Sequence, residues 1–384
     1  MINKNIFPLI ICLFIIIPVQ AQEFFWEAPE LFSARSGQFP ISAHSNNFSV
    51  VAWQEVIPNS DSNASAGGII NINLAVKEGS GSWQQRGIVA GPYSFLGTEP
   101  SILSMVIDNR DRIVIAAAAG SAQTEILISS DRGRTFSRRL LNLGAENSVA
   151  PRLFVRADGG FLLFVTRGRG QALSIYYSRS DNGENWSPFE FFTPESSLSL
   201  NFLPTHASIG RRDIVIFQSL IMGTESLSTF QLFIKTSDDG GRSWSQARRF
   251  TTFNDPVIQT QASANSFDNQ RPHLIRHGDN IFMVWERRFS NQSPGIYCAT
   301  INRDGNIVGS VERMNNAEAY CNNPIAFIHN NAPAVVWFDN RSRNNRIILA
   351  QRRDFVWQND LLSSAAIDAS FARPVVTDDG VFVF

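Results

Sequence analysis

Along residues 22–384, apolar and polar positions organise into short strand-like runs, and no helical period competes with them. Seven runs are almost continuously β-branched or aromatic: FSVVAW, RIVIAAAA, FLLFV, DIVIF, IFMVW, AVVWF and VFVF. Continuous apolarity of this kind predicts strands buried on both faces. Each run follows a polar turn (HSNN, DNRD, RADGG, GRRD, RHGDN, HNNAP, TDDG), and each turn follows a shorter apolar segment introduced by a proline. The prolines are Pro40, Pro100, Pro151, Pro204, Pro272, Pro324 and Pro374. Turn chemistry makes each pair of runs a hairpin. Six of the pairs are followed by a third strand, INLAVKE, EILISSD, LSIYYSRS, FQLFIKTS, GIYCATIN or RIILAQRR, and then by a turn and a fourth.

Four-stranded antiparallel units repeating every ~50 residues predict an all-β chain closed into a β-propeller. The segment Glu23–Ser33 reads as a lone fourth strand, and Pro374–Phe384 supplies only a first and a second strand. Joined, they predict a seven-bladed ring closed between N- and C-terminus, the last blade lacking its third strand. Six blades with a terminal hairpin is the alternative.

The turns between third and fourth strands carry their own pattern, S-x-D-x-G-x-[ST]-[WF]. Ser129, Asp131, Gly133, Thr135 and Phe136 meet it in full, as do Ser237, Asp239, Gly241, Ser243 and Trp244. A middle copy keeps Asp181, Gly183 and Trp186. A short carboxylate accepting backbone N–H groups, a glycine at positive φ and a buried aromatic make a structural clasp. The spacing is not that of a calcium loop.

This pattern resembles the Asp-box, or BNR repeat, and the chain resembles the sialidase-like Asp-box propellers over nearly all of residues 22–384. The resemblance implies a ligand face opposite the boxes, built by loops that enter first strands and leave second strands. It does not specify activity, since such propellers include sialidases, other glycosidases and binding proteins. On the implied face lie Trp53, Glu55, Arg167, Arg271, Trp285, Glu286, Arg287, Trp337, Asp339, Arg341 and Arg373. Tryptophan faces suit sugar rings, and arginine forks suit a carboxylate; mutually paired charges lining a channel are the plainer reading. Two polar insertions, 56–68 and 251–270, are expected to overhang this face.

A sialidase of this family grips its substrate with three arginines and uses an aspartate acid/base and a tyrosine nucleophile activated by glutamate. Here GQFP places Gln38 where the first arginine of an F-R-I-P-like motif belongs. Arg271, in QRP, matches a triad arginine; Tyr320, in EAYCNNP, stands two residues out of step; Glu55 and Asp61 are what the first unit offers as acid/base. These departures point to a glycan- or protein-binding module without standard sialidase catalysis. The rival is an exo-acting glycoside hydrolase of the exo-α-sialidase type, using Arg271, Arg287, Arg373, Glu286 and Tyr320. A third reading is a scaffold whose function lies in a C-terminal continuation.

Composition narrows the partners. Charged residues are 17% of the chain and the net charge is −1, which argues against a nucleic-acid partner. Residues 1–21 carry Lys4, an apolar stretch and Val19-Gln20-Ala21, the layout of a secretory signal peptide. An exported propeller over 22–384 follows, in a periplasmic, secreted or cell-surface setting and with no membrane span after cleavage. Cys298 and Cys321 then remain, either as a disulfide or as buried thiols. The chain has no zinc-binding histidine motif, nucleophile elbow or P-loop, so neither metal nor cofactor is expected.

Overall fold

A computed structural model describes residues 32, 37–58, 68–94, 102–120, 122–143, 148–169, 172–194, 199–221, 229–251, 268–288, 293–315, 319–342, 344–363 and 368–384. The signal-like segment 1–21 lies outside them, as do residues 59–67 and 252–267 of the two polar insertions (56–68 and 251–270). So do Pro100, the side chain of Arg341, and all of the expected N-terminal strand except Phe32. Among the described residues every regular element is a strand.

The strands run in antiparallel sets of four. The first is β1 (Gly37–His44), β2 (Phe48–Pro58), β3 (Gly68–Glu78) and β4 (Gln84–Ser94). The second is β5 (Leu103–Ile107), β6 (Ile113–Ala118), β7 (Gln123–Ser129) and β8 (Ser137–Asn142). Next come β9 (Ser148–Val155), β10 (Phe161–Arg169), β11 (Ala172–Ser180) and β12 (Glu190–Phe191). They are followed by β13 (Ser199–Ile209), β14 (Arg212–Ile221), β15 (Gln231–Ser237) and β16 (Arg248–Arg249). The last two sets are β17 (Asp268–His277), β18 (Asn280–Arg288), β19 (Gly295–Ile301) and β20 (Ile307–Arg313), then β21 (Cys321–His329), β22 (Ala332–Ser342), β23 (Asn344–Arg353) and β24 (Val356–Leu361). A hairpin, β25 (Pro374–Thr377) with β26 (Gly380–Val383), follows them.

This is a propeller arrangement of four-stranded antiparallel sheets, but its sheets do not number seven. A parallel pairing, Leu173↔Leu200, joins β11 to β13 and merges the third and fourth sets into one eight-stranded sheet. The other sets are four separate sheets, and the hairpin stands as a two-stranded one. First strands pack side by side in succession, β1 beside β5, β5 beside β9 and onward to β21 beside β25, and β25 packs on β1.

The apolar runs explain the layering. Successive sheets press face to face, so the second strands of the six sets are buried on both sides over most of their length, and Ile113–Ala118 is buried throughout; β26 of the hairpin, expected to be buried likewise, is only half-buried. The core is accordingly a series of layers between sheets. One joins Leu74 and Val76 to Leu103 and Ile115, and another joins Ile216 and Ile234 to Met283 and Ile301. Cys298 and Cys321 belong to one such layer and are both buried thiols, so the disulfide alternative is set aside. Cys321 Sγ donates to Ala319 O (3.4 Å), and burial pushes the Cys298 thiol pKa up.

The repeated prolines mark a bulge in the first strand. Phe39, Ala150, Leu203, Arg271 and Asn323 each precede a proline and each adopt φ of 48 to 55°. Register shifts occur at the same places, between Gln38 and Ile41, Phe202 and Thr205, Gln270 and His273, and Asn322 and Ile325. Proline cannot donate to a ladder, so the strand bulges there. A non-glycine residue at positive φ costs on the order of 1–3 kcal/mol, and it persists only where its surroundings over-determine it.

At the other end of the sheets, the turns between third and fourth strands form the expected clasps. Asp239 Oδ1 accepts from Ser243 N (2.9 Å) and Arg242 N (3.0 Å), its Oδ2 accepts from Ser243 Oγ (2.6 Å), and Gly241 N donates to Ser237 Oγ (2.9 Å). Asp131, Thr135, Ser129 and Gly133 repeat this bond for bond. In the middle copy the acceptor is Asn182, not Asp181. Its Oδ1 takes Glu184 N (2.9 Å) and Asn185 N (2.8 Å), because this loop is one residue shorter between serine and glycine. Trp186 and Trp244 pack into the layers between sheets, as does Phe136.

The clasps also tie sheets together. Carbonyls in these turns accept from arginines of the preceding set: Arg86 to Arg132 O (3.0 Å), Arg112 to Asn182 O (2.8 Å), Arg156 to Gly240 O (2.7 Å) and Arg248 to Gly305 O (2.9 Å). Around the terminal hairpin, Ser42 Oγ donates to Pro374 O (2.9 Å), Lys77 pairs with Asp379 (2.6 Å), and the Phe32 ring meets Trp53, Trp83 and Phe384.

Gly241 has φ 76°, and a β-carbon there would stand 2.7 Å from Leu162 Cδ2. Gly241→Ala is expected to lower stability by roughly 1–3 kcal/mol in urea melts. Burial raises the Asp239 pKa, but the hydrogen bonds from Ser243 and Ser237 outweigh it and hold the carboxyl at about 2. The clasp therefore stabilises above the ordinary aspartate pKa and is lost as pH falls towards 2. The stability gap between wild type and Asp239→Asn should close over that range; a gap independent of pH would contradict the clasp.

Candidate functional site

The site is built at the ends of second strands, opposite the clasps within each sheet. Side chains alternate faces along a strand, so consecutive residues there do different work. Gln54, Gln218 and Glu286 share one position, directly after an aromatic residue (Trp53, Phe217, Trp285). Each reaches the first strand of the next set. Gln54 Oε1 accepts from Ile102 N (2.7 Å), Gln218 Oε1 from Arg271 N (3.0 Å) and Glu286 Oε1 from Asn323 N (2.6 Å). In the last two, the donor is the residue held at positive φ before a proline.

Where the other two positions carry neutral amides, Glu286 is a carboxylate, fully buried, with a second oxygen to spare. Its Oε2 accepts from Arg271 Nη1 (2.8 Å) and Arg288 Nη2 (3.3 Å). Arg288 Nη2 also donates to Asn322 Oδ1 (3.1 Å), and its guanidinium lies 5.3 Å from the Tyr320 ring centroid. Tyr320 is 40% exposed, and the side chains of Arg271 and Arg288 are 39% and 28% exposed. The cluster thus holds two cations on one anion and opens towards solvent beside an aromatic face.

The residue after this position faces the other way, into the layer between sheets. Glu55 accepts from Asn73 Nδ2 (3.3 Å). Arg167 lies over Tyr176 at 5.1 Å, and Arg287 lies over Tyr297 at 5.3 Å. Glu55, Arg287 and Asp339 are buried. Trp53, Trp285 and Trp337 are buried as well, Trp285 Nε1 donating to Asn269 Oδ1 (3.0 Å). They are core, worth about 1.5–3 kcal/mol each, and present no face to a sugar. Arg271 and Arg287 therefore do not converge; the partner of Arg271 is Arg288, one residue along and on the opposite face of β18. The shared position of Gln54, Gln218 and Glu286 was the available signal for this parity.

Arg373 joins a different group. Arg152 on β9, His273 on β17 and Arg373 just before β25 come from separate sets and interact electrostatically. Burial, then Arg373 and Arg152, lower the His273 pKa to about 3; burial, then Arg152, lower that of Arg373 to about 10. His273 Nδ1 accepts from Ala326 N (3.3 Å), which requires a neutral ring protonated on Nε2. Arg152 escaped the sequence reading, although it follows Pro151 as His273 follows Pro272. His206 Nε2 faces both Asp213 Oδ1 (2.9 Å) and Ser208 Oγ (3.3 Å). One nitrogen serves both, so the trio is a buried structural cluster and no proton relay runs through it. Among the described residues, no group of three or more His, Cys, Asp and Glu is arranged to hold a metal ion.

No protein-family model matches the chain, and no curated protein matches it. Solved structures do. A polysaccharide lyase of family PL25, an ulvan lyase bound to -[GlcA(1-4)Rha3S]-, is similar with a TM-score of 0.60 at 13% identity over 91% of each chain. A protein of unknown function from Dyadobacter fermentans matches with a TM-score of 0.54 at 11% identity, over 79% of this chain and 90% of that one. An α-L-arabinanase of Penicillium chrysogenum complexed with arabinobiose matches with 0.51 at 11% identity, over 79% and 88%. At such identities the likeness is one of fold.

Between about pH 6.5 and 3 the unfolded chain binds a proton at His273 that the native protein does not. Stability should fall as pH drops through that window, by at most about 1.4 kcal/mol per pH unit from this residue. His273→Gln retains an acceptor for Ala326 N and should flatten the slope in denaturation measured between pH 6 and 4; an unchanged slope would contradict the neutral ring.

Proposed function

We propose that the protein is an exported carbohydrate-binding propeller whose ligand is an acidic glycan, held at Arg271 and Arg288 beside Tyr320. One observation carries this reading. Two partly exposed guanidiniums are fixed on a single buried carboxylate, so the cluster keeps a net positive charge next to an exposed ring. Arginine forks recognise carboxylate and sulfate oxygens, and a tyrosine face takes a pyranose ring. Neighbours of the same fold support the class of ligand: the ulvan lyase holds a sulfated uronate-containing saccharide, and the arabinanase holds arabinobiose.

On this reading the clasped turns are Asp-box repeats, and the β25–β26 hairpin with the N-terminal segment forms a seventh blade. Residues 1–21 act as the export signal. The binding reading is preferred to sialidase catalysis because Glu286 is committed to Asn323 N and to two arginines, and Arg287 is turned into the core. A glycosidase remains the rival, resting on the exposed Tyr320. An extracellular protein partner at the same face is the other.

Calorimetry with an oligosaccharide of repeating GlcA(1-4)Rha3S should give binding that weakens at least tenfold in Arg271→Ala and in Arg288→Ala. It should also weaken with added salt. Tighter binding of a neutral arabino-oligosaccharide would contradict the acidic-glycan reading. Release of sialic acid from a fluorogenic substrate, abolished by Tyr320→Phe, would replace it with the hydrolase.

A further inference from the structure

Beside Glu286, two donors have no acceptor. Asn323 Nδ2 and Arg288 Nε are buried polar atoms without a hydrogen-bond partner among the described residues. A buried amide or guanidinium N–H left unmade costs about 1–3 kcal/mol, so native structures rarely tolerate two at one place unless something else accepts from them. Both belong to the residues around the buried carboxylate. Asn323 N is fixed on Glu286 Oε1 at 2.6 Å, and Arg288 Nη2 lies on Glu286 Oε2 at 3.3 Å.

The backbone at Asn323 sharpens the point. Its φ is 55°, a conformation that glycine adopts without strain and that side chains resist. Folding alone gives the amide no use there, since the bond to Glu286 is made by the backbone N–H. Glu286 occupies the position that Gln218 fills in the preceding set, where Gln218 Oε1 holds Arg271 N. The carboxylate does the same backbone work and, through Oε2, sets the direction of two guanidiniums.

We infer that Asn323 is a specificity-determining residue: its Nδ2–H, with Arg271 and Arg288, donates to one oxyanion of the bound glycan, and Glu286 is the residue that positions the two arginines. The inference rests on the acidic-glycan reading and goes further by naming the group recognised. That group is a carboxylate or sulfate oxygen, each able to accept from amide and guanidinium donors.

The test compares wild type, Asn323→Gly and Asn323→Asp for binding three oligosaccharides by calorimetry, with thermal melts alongside. The probes are the GlcA(1-4)Rha3S repeat, its desulfated form and its carboxyl-reduced form. Asn323→Gly removes the donor while relieving the positive φ, so its melting temperature should be unchanged or higher while affinity for the parent falls about tenfold or more. Asn323→Asp, which sets a like charge against the ligand, should lose more. The probe on which the glycine variant no longer differs from wild type identifies the group, sulfate or carboxylate, that Asn323 contacts. Glu286→Gln keeps an acceptor for Asn323 N, so it should melt near wild type yet bind the parent more weakly. Wild-type binding that Asn323→Gly leaves within twofold would overturn the inference alone. Wild-type failure to bind any of the three would overturn the acidic-glycan reading and the inference with it.

Discussion

The architecture depends on one unmet need: the first strand of every set but the fourth lies at a sheet edge, and β13 of the fourth is paired on that side only at Leu200. Where no ladder continues beyond a first strand, its backbone groups must be met by side chains of a neighbouring set. Side chains of the preceding set supply the acceptors. Gln54, Gln218 and Glu286 reach Ile102 N, Arg271 N and Asn323 N, and Thr205 and His273 reach Leu274 N and Ala326 N. These bonds make the sheets interdependent, and they hold the pre-proline residues in a conformation those residues would not choose.

The candidate site is a variation on that seam. Replacing a glutamine by Glu286 leaves the backbone bond in place and adds a buried negative charge. A buried carboxylate requires compensation, and Arg271 and Arg288 provide it at 2.8 and 3.3 Å. Because two cations answer one anion, the result faces solvent with positive charge in excess. The clasps at the opposite ends of the sheets differ in that their polar groups are already engaged. Their carboxylates are used up by turn N–H groups and hydroxyls, and their carbonyls by arginines of the preceding set.

Strands and clasps were legible in the sequence because their causes are local. Short continuous apolar runs, a glycine at positive φ and an aspartate two residues ahead of it act within a few positions of one another. The site was less legible because it turns on which face a residue takes, and the pre-proline bulges shift that parity. In WERR the sequence favoured Arg287, whereas strand alternation puts Arg287 on the Trp285 face, over Tyr297, and leaves Arg288 with Glu286. The tryptophans looked like a rim because they adjoin it, yet their size fits them to the layers between sheets. Asp181 was mistaken for the acceptor because a one-residue deletion hands that role to Asn182. Sheet number was not legible at all, since one pairing, Leu173↔Leu200, fuses two sets that the repeat presents as separate.

The central claim is that ligand chemistry belongs to the seam end of the sheets and not to the clasps. A crystal structure of the protein with the GlcA(1-4)Rha3S oligosaccharide bound tests it most directly. The account predicts an anionic group of the sugar within hydrogen-bond distance of Arg271 or Arg288, with a ring against Tyr320. Saccharide bound instead at the turns of Asp131, Asn182 or Asp239, with Arg271 and Arg288 untouched, would contradict it.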